Sequence, residues 1–167
     1  GSSLSHRPML RVTRPLRMMG AIINSKLKIK NSKIEEYPPI IIRGGNLKPI
    51  IYKMPVASAQ VKSAIILASL YVKAKTQIIE PVRTRDHTER MLKLFKANIK
   101  VKKNRIVIEG KRELTSPKKI YIPGDISSAA FFLVLSALIP NSHLVIRNVG
   151  LNPSRTGMIK VLKRMGT

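Results

Sequence analysis

Residues 50–97 read IIYKMPVASAQVKSAIILASLYVKAKTQIIEPVRTRDHTERMLKLFKA, and their pattern is the most informative about the fold. A β-branched run precedes Pro55, an apolar-rich segment follows it, and a second β-branched run at 76–80 leads to another segment with helical spacing. The pattern predicts strand, helix, strand and helix in that order. The same order returns in residues 119–167, where Pro123 stands 68 residues after Pro55. A period of this size indicates stacked supersecondary units, so we predict an α/β (α+β) fold of repeated units.

The flanking segments extend this pattern. Met9, Val12, Leu16 and Met19 have helical spacing and predict a helix over 7–20 that ends at Gly20. The other predicted elements are a turn with a short strand in 24–33, β segments at 39–43 and 50–53, helices at 58–72, 86–95, 127–138 (largely buried) and 156–165, a hairpin of 98–102 with 105–109, and strands at 76–80, 119–122 and 143–148. Because the first helix resembles the end of an earlier repeat, we expect an internal fragment of a longer protein.

The net charge is the most unusual property of the composition. The 167 residues include 32 Lys and Arg against 8 Asp and Glu, which gives a formal charge of +24. Such a charge attracts polyanions, so a basic nucleic-acid-binding protein is one interpretation. Against it, aromatic residues make up only 4% of the chain, which leaves few stacking platforms. The Lys residues are also scattered along the chain. The codon usage of an AT-rich genome favours Lys at solvated positions regardless of function, and this bias is the alternative explanation of the charge.

Several classes of site and segment find no support in the sequence. The chain has no Cys, which excludes disulfides and thiol chemistry within these residues. Its longest apolar runs are too short to cross a bilayer, and no signal peptide is recognisable at its start. No metal-ligand cluster and no glycine-rich nucleotide loop is apparent.

The strongest candidate site residues lie where predicted helices begin. Ser58 suits an N-cap, and the helix after it would present unpaired N–H groups to an anion near Gln60. Arg85 precedes the next helix, where Asp86 and Glu89 have the spacing of a capping box. His87 at this helix start is more typical of a scaffold residue than of a catalytic acid or base.

The remaining candidates also lie where predicted helices begin. Asp125 precedes the helix at 127–138, where a capping role is favoured over a catalytic one. Ser154 or Thr156 suits the N-cap of the last helix, and Arg7 precedes the first long one. Several such helix starts, if they converge, would form a cleft for a small ligand with several negative charges.

Five motifs, taken in order, resemble the EPSP synthase (3-phosphoshikimate 1-carboxyvinyltransferase) family over essentially the whole chain. They are SHRPM from Ser5, PVASAQVKSA from Pro55, TRDHTERM from Thr84, PGDISSAAF from Pro123 and NPSRTG from Asn152. The resemblance implies a two-domain fold of βαβαββ repeats, an inside-out α/β barrel. Residues 1–122 would belong to the first domain, and residues 123–167 would begin the second after the crossover.

The resemblance also implies a reaction and its site residues. The family transfers the enolpyruvyl group of phosphoenolpyruvate to the 5-hydroxyl of shikimate 3-phosphate, without a metal or organic cofactor. By matching motif positions, Ser58, Ala59, Gln60 and Arg85 would bind shikimate 3-phosphate, whereas Arg7 and Gln60 would bind phosphoenolpyruvate. The family's catalytic acid–base residues are expected outside these 167 residues, so we expect the chain to be inactive alone. The full-length protein is expected to be a cytoplasmic monomer with no nucleic acid or membrane partner.

The sequence departs from the family pattern at two places. Gly1-Ser-Ser-Leu4 lacks the Asp that usually follows the first Gly, and Lys96 stands where Phe-Gly-Ala is usual, at a position that favours Gly. The related UDP-N-acetylglucosamine enolpyruvyl transferases are a further alternative, although they lack the TRDHTE motif.

Overall fold

The computed structural model describes residues 2–30, 33–110 and 113–166, and it divides into two compact units, residues 1–116 and 117–167. The elements of the first unit are α1 (Ser2–Ser5), α2 (Leu10–Met18), β1 (Ile22–Lys30), β2 (Lys33–Arg43), β3 (Ile51–Lys53), α3 (Ala59–Ser69), β4 (Lys75–Ile79), α4 (His87–Leu94), β5 (Asn98–Lys102) and β6 (Arg105–Glu109). Those of the second are α5 (Ile126–Leu138) and α6 (Gly157–Arg164). The predicted mixture of helices and strands is confirmed.

The repeat predicted from residues 50–97 forms the centre of the first unit. Strands β3 and β4 pair in parallel and are joined by α3, and the β5–β6 hairpin continues the sheet in the order β3-β4-β6-β5. Alternate residues of these strands face α3, as the period of two requires. The core between sheet and helix contains Ile65, Ile66, Ile78, Ile106 and Ile108, all fully buried.

The hairpin of β1 and β2 differs from the prediction of a turn and two short segments. The two strands pair over nine and eleven residues, and the polar pair Asn24-Ser25 lies within β1. The register shifts between Ser25 and Lys26, opposite Pro38-Pro39. The two prolines have no backbone N–H and therefore cannot donate hydrogen bonds to β1. The polar and proline residues therefore mark a bulge within a long hairpin, not a turn.

A buried carboxylate joins helix α2 to this hairpin. Glu36 of β2 is only 3% exposed; its Oε2 accepts a hydrogen bond of 2.6 Å from Thr13 Oγ1, and its Oε1 pairs with Arg17. Arg17 also donates to the carbonyl of Ile23 in β1 at 2.8 Å. Burial by itself would raise the pKa of Glu36, but the hydrogen bonds from Arg17 and Thr13 outweigh it, and the pKa is lowered.

We expect Glu36→Gln to destabilise the protein at neutral pH and to matter less in acid. Loss of hydrogen bonds to a charged group costs about 1.5–3 kcal/mol. Because the folded-state pKa is lowered, the stability that Glu36 contributes is present above its unfolded pKa of about 4.3 and lost as pH falls through the folded pKa. Urea unfolding of both proteins should therefore give free energies that converge as the pH is lowered below about 4. A difference that stays constant with pH would contradict this account.

The helix ends repeat one backbone conformation. Gly20 follows α2 with φ +98°, Lys96 follows α4 with φ +57°, and Gly166 follows α6 with φ +88°. Ala21 N–H donates to Leu16 O and Ala97 N–H donates to Leu92 O, the longer bond of a Schellman motif. The predicted end at Gly20 and the predicted glycine-like position of Lys96 are both confirmed.

A close backbone contact follows the last strand of the sheet. Gly110 comes directly after β6 and lies against the end of α3, where a Cβ would be 2.1 Å from the carbonyl oxygen of Ser69. Only a residue without a side chain fits this approach.

The second unit keeps the predicted helices but not the predicted strands. Residues 119–122 and 143–148 form no strand, and the pairing among described residues 117–166 is one parallel bridge between Gly124 and Val149. By the 68-residue period, this bridge corresponds to Val56 and Pro81, which lie just beyond the ends of β3 and β4. β-Branched composition favours a strand but cannot supply the hydrogen-bonding partners that hold one.

Helix α5 is also more exposed than predicted. Ile126 and Ala129 are buried, but Phe131 is 79% and Phe132 60% exposed. The apolar sequence of this helix predicted that it would be largely buried. In this unit, α6 is the helix that packs against it.

Candidate functional site

The start of α3 has the geometry predicted for it. Ser58 is the N-cap in an extended conformation, and its Oγ accepts the Val61 N–H at 3.4 Å. Ser58 Oγ also lies 3.3 Å from Gln60 Oε1, to which it donates. Ala59 and Gln60 are the first two residues of the helix, so their amides belong to the orphan donors of its first turn. This end of the helix therefore combines N–H groups, a hydroxyl and an exposed amide side chain.

A small cavity of about 140 Å³ adjoins this helix start. Ser58 and Val61 of α3 line it together with Arg11 of α2, and the segment after β3 closes another side. Arg11 was not predicted from the sequence, because it lies 47 residues before Ser58 and reaches the same cavity only through the packing of α2 on α3. Arg11 and Ser58 therefore line the same cavity.

Arg85 lies one residue before the N-cap of α4, as predicted, and is half-buried. The predicted capping box is wrong. Asp86 makes no side-chain cap bond and instead accepts from Arg90 Nε at 2.9 Å, one turn along the helix. Glu89 turns into the protein, where a buried ammonium group binds it.

That ammonium belongs to Lys62, whose side chain is only 1% exposed. Its Nζ lies 2.6 Å from Glu89 Oε1 and 3.3 Å from Glu80 Oε1. We name Lys62, Glu80 and Glu89 the buried ion cluster. The cluster was not predicted from the sequence. The signal that could have indicated it is that Lys62 shares one helix face with Ile65, Ile66 and Ser69, all of which are buried.

Some of the predicted site residues are in contact or linked through other side chains, and others are not. Ser58, Ala59 and Gln60 are contiguous, and the buried ion cluster joins their helix to the segment that contains Arg85. The Ser63 and Thr88 hydroxyls, 2.6 Å apart, join α3 to α4 a second time. Arg7 is exposed and precedes α2, which packs against α3.

The helix starts of the second unit are occupied by protein contacts. Asp125 Oδ1 accepts the Ser127 N–H at 2.9 Å, which confirms the predicted cap of α5. Arg155 pairs with Ser127 Oγ and lies 3.8 Å from Asp125 Oδ1. Thr156 is at the N-cap position of α6 without a side-chain cap bond, and Ser154 N–H donates to Asn152 Oδ1.

Metal ligation and membrane insertion find no support among the described residues. Within residues 2–30, 33–110 and 113–166, no group of three or more His, Asp and Glu side chains is arranged to hold a metal ion. No helix in the same ranges has the length and apolarity needed to span a bilayer.

The fold and the start of α3 together define an α+β protein whose candidate site suits a small anionic ligand. The family model for EPSP synthase (3-phosphoshikimate 1-carboxyvinyltransferase) matches residues 1–167. The chain belongs to this family.

Individual relatives agree with the family match. A 3-phosphoshikimate 1-carboxyvinyltransferase of Geobacillus thermodenitrificans is 53% identical over 98% of this chain, and that of Petrotoga mobilis is 51% identical. The solved EPSP synthase of Acinetobacter baumannii is 47% identical, with a TM-score of 0.83 over 99% of the chain. The chain spans about 36% of the length of the first and last of these proteins. The family match favours the resemblance to EPSP synthase over the two alternatives, a nucleic-acid-binding protein and a UDP-N-acetylglucosamine enolpyruvyl transferase.

Proposed function

We propose that this chain forms part of the substrate cleft of an enzyme that transfers the enolpyruvyl group of phosphoenolpyruvate to the 5-hydroxyl of shikimate 3-phosphate. The products are 5-enolpyruvylshikimate 3-phosphate and inorganic phosphate. The observation that carries the proposal is the start of α3, where the family motif Ser58-Ala-Gln60 coincides with a capped helix N-terminus beside Arg11. The chain spans about 36% of its relatives' length, so the activity is proposed for a protein with the family's full length.

Within this proposal, Ser58, Ala59, Gln60 and Arg85 bind shikimate 3-phosphate. A phosphate at the α3 start would accept from the amides of the first turn and from the Ser58 hydroxyl. The Arg85 guanidinium supplies the charge that neutral donors lack, and its planar fork suits a phosphate or carboxylate. Gln60 is exposed beside Ser58 and is proposed to contact both substrates, with Arg7 on the phosphoenolpyruvate side.

The arrangement suits a reaction in which negative charge persists throughout. Addition of the 5-hydroxyl to phosphoenolpyruvate gives a tetrahedral intermediate that retains both carboxylates and both phosphates, and elimination then releases one phosphate. Donors fixed before the reaction stabilise such charge without reorganising. The chain's residues are proposed to bind and orient, and the proton transfers are assigned to residues outside these 167.

The proposal extends to domain organisation and cellular context. Residues 1–122 are proposed to belong to the first domain of the family fold, and residues 123–167 to begin the second. The full-length protein is proposed to be monomeric and cytoplasmic. Sedimentation of the full-length protein and its recovery after cell fractionation would test these statements.

The direct test is an assay of the full-length protein with both substrates. Phosphate release should require shikimate 3-phosphate as well as phosphoenolpyruvate, and mass spectrometry should find the enolpyruvyl ether product. Phosphate release that is independent of shikimate 3-phosphate would refute the proposal.

We expect Arg85→Ala in the full-length enzyme to raise the KM for shikimate 3-phosphate much more than that for phosphoenolpyruvate. Loss of a charge-assisted contact costs about 1.5–3 kcal/mol, which is roughly a ten- to hundredfold change. Arg83→Ala is the matched control, because Arg83 is exposed on the same segment and carries the same charge. Equal changes in both KM values, or equal effects of the two variants, would contradict the assignment of Arg85.

A further inference from the structure

The buried ion cluster has no part in the binding roles proposed above, yet it is an unusual arrangement. Lysine is among the residues least often fully buried, and Lys62 is surrounded by the apolar core of the first unit. Two carboxylates converge on its single ammonium group. Packed apolar residues in place of all three charged side chains would often be at least as stable, so stability alone is a weak reason for this cluster.

The cluster holds the segment that contains Arg85. Glu80, at the end of β4, accepts at Oε1 from the Thr84 N–H at 3.1 Å and from the Thr84 hydroxyl. The backbone of Glu80 is fixed on its other side by Asn104, whose side chain donates to Glu80 O at 2.8 Å. The Glu80 carboxylate therefore sets the path of residues 81–84, which lead directly to Arg85.

The other end of the connection is the Ser58 site. The Lys62 N–H donates to Ser58 O at 3.1 Å, within the first turn of α3, and its ammonium group reaches Glu80 and Glu89. A continuous chain of polar contacts therefore runs from Ser58 through Lys62 and Glu80 to Thr84, the neighbour of Arg85. The contact between Lys62 and Glu89 fixes the first turn of α4 on the far side of Arg85.

We propose that Lys62 is a positioning residue that sets the place of Arg85 relative to Ser58 and Gln60, and thereby the affinity for shikimate 3-phosphate. This inference rests on the proposed function. Lys62 touches no substrate in it and acts through the segment at 81–86. Displacement of a charged group by about 1 Å is enough to change rates or affinities substantially.

The first experiment compares Lys62→Met with Lys93→Met in the full-length enzyme, well below the melting temperature of either. Lys93 is exposed on α4, so its variant loses the same charge without touching the cluster. We expect Lys62→Met to raise the KM for shikimate 3-phosphate on the order of tenfold, with the KM for phosphoenolpyruvate nearly unchanged. A purely structural lysine would lower the melting temperature and the active fraction but leave both KM values unaltered, and unaltered KM values would overturn the proposal.

A double-mutant cycle tests the route through Arg85. In an Arg85→Ala background, Lys62→Met should produce no further rise in the KM for shikimate 3-phosphate. Independent, multiplying effects of the two substitutions would show that Lys62 does not act through Arg85.

A second variant covers the possibility that Lys62→Met does not fold. Thr84→Val keeps the shape of the side chain and removes its hydrogen bond to Glu80. It should raise the KM for shikimate 3-phosphate while lowering the melting temperature less than Lys62→Met does, and an unchanged KM would count against the proposal. A wild-type enzyme without enolpyruvyl transfer would refute both the proposed function and this inference. An active enzyme whose KM for shikimate 3-phosphate is unchanged by substitution of Lys62 and Thr84 would refute the inference alone.

Discussion

Lys62→Met should lower the free energy of unfolding by about 3–5 kcal/mol, because it leaves two carboxylates in the protein interior without their cation. Glu80 and Glu89 are both nearly inaccessible to solvent, so water cannot replace the lost ammonium group without opening the core. The measurement is urea unfolding at neutral pH, followed by circular dichroism, for the wild type and the variant.

The matched control is the triple variant Lys62→Met, Glu80→Gln, Glu89→Gln. It removes all three charges, so it should be more stable than Lys62→Met alone although it carries more substitutions. Such a gain would identify the uncompensated carboxylates as the cause of the loss. If the triple variant is no more stable than the single one, the packing of the lysine stem, not its charge, accounts for the effect.

Gly110→Ala should also destabilise the protein strongly, by about 3 kcal/mol or more, at the upper end of the range for overpacked positions. The new Cβ would lie 2.1 Å from Ser69 O and 2.5 Å from the carbonyl carbon and oxygen of Leu70. These are backbone atoms at the end of α3, so no side-chain rotation relieves the clash. Either the helix end or the segment after β6 has to move.

Gly44→Ala is the control for this substitution, because no atom lies within 4 Å of its ideal Cβ position. It should change the free energy of unfolding by no more than about 0.5 kcal/mol. Thermal and urea unfolding of the two variants separate a steric effect from the general effect of losing a glycine. Similar midpoints for the two variants would contradict the close contact.

The parts of the fold that were predictable are those governed by local periodicity. Helices α3 and α4 and the β5–β6 hairpin have clear apolar patterns and turn residues, and the structure places them within a few residues of the prediction. The bulge in the first hairpin was not predictable in this way. It depends on which residues of β2 stand opposite Ser25, and that pairing is a property of the folded hairpin.

In the candidate site too, local features were predictable and contacts between distant residues were not. The cap at Ser58 is a local feature, which its residue type and the following helix are enough to predict. The partner of Glu89 is not local: the spacing from Asp86 suggested a capping box, but Lys62 competes for the carboxylate from 27 residues away. Arg11 was missed for the same reason, since only the packing of α2 on α3 brings it to Ser58.

Three helix ends show that glycine is not required where the chain turns left-handed. Each of α2, α4 and α6 is followed by a residue with positive φ, which is Gly in two cases and Lys in the third. A left-handed residue at this position allows the last carbonyls of a helix to be hydrogen-bonded, so these bonds favour the conformation whichever side chain is present. At Lys96 the conformation carries a steric cost that glycine would avoid.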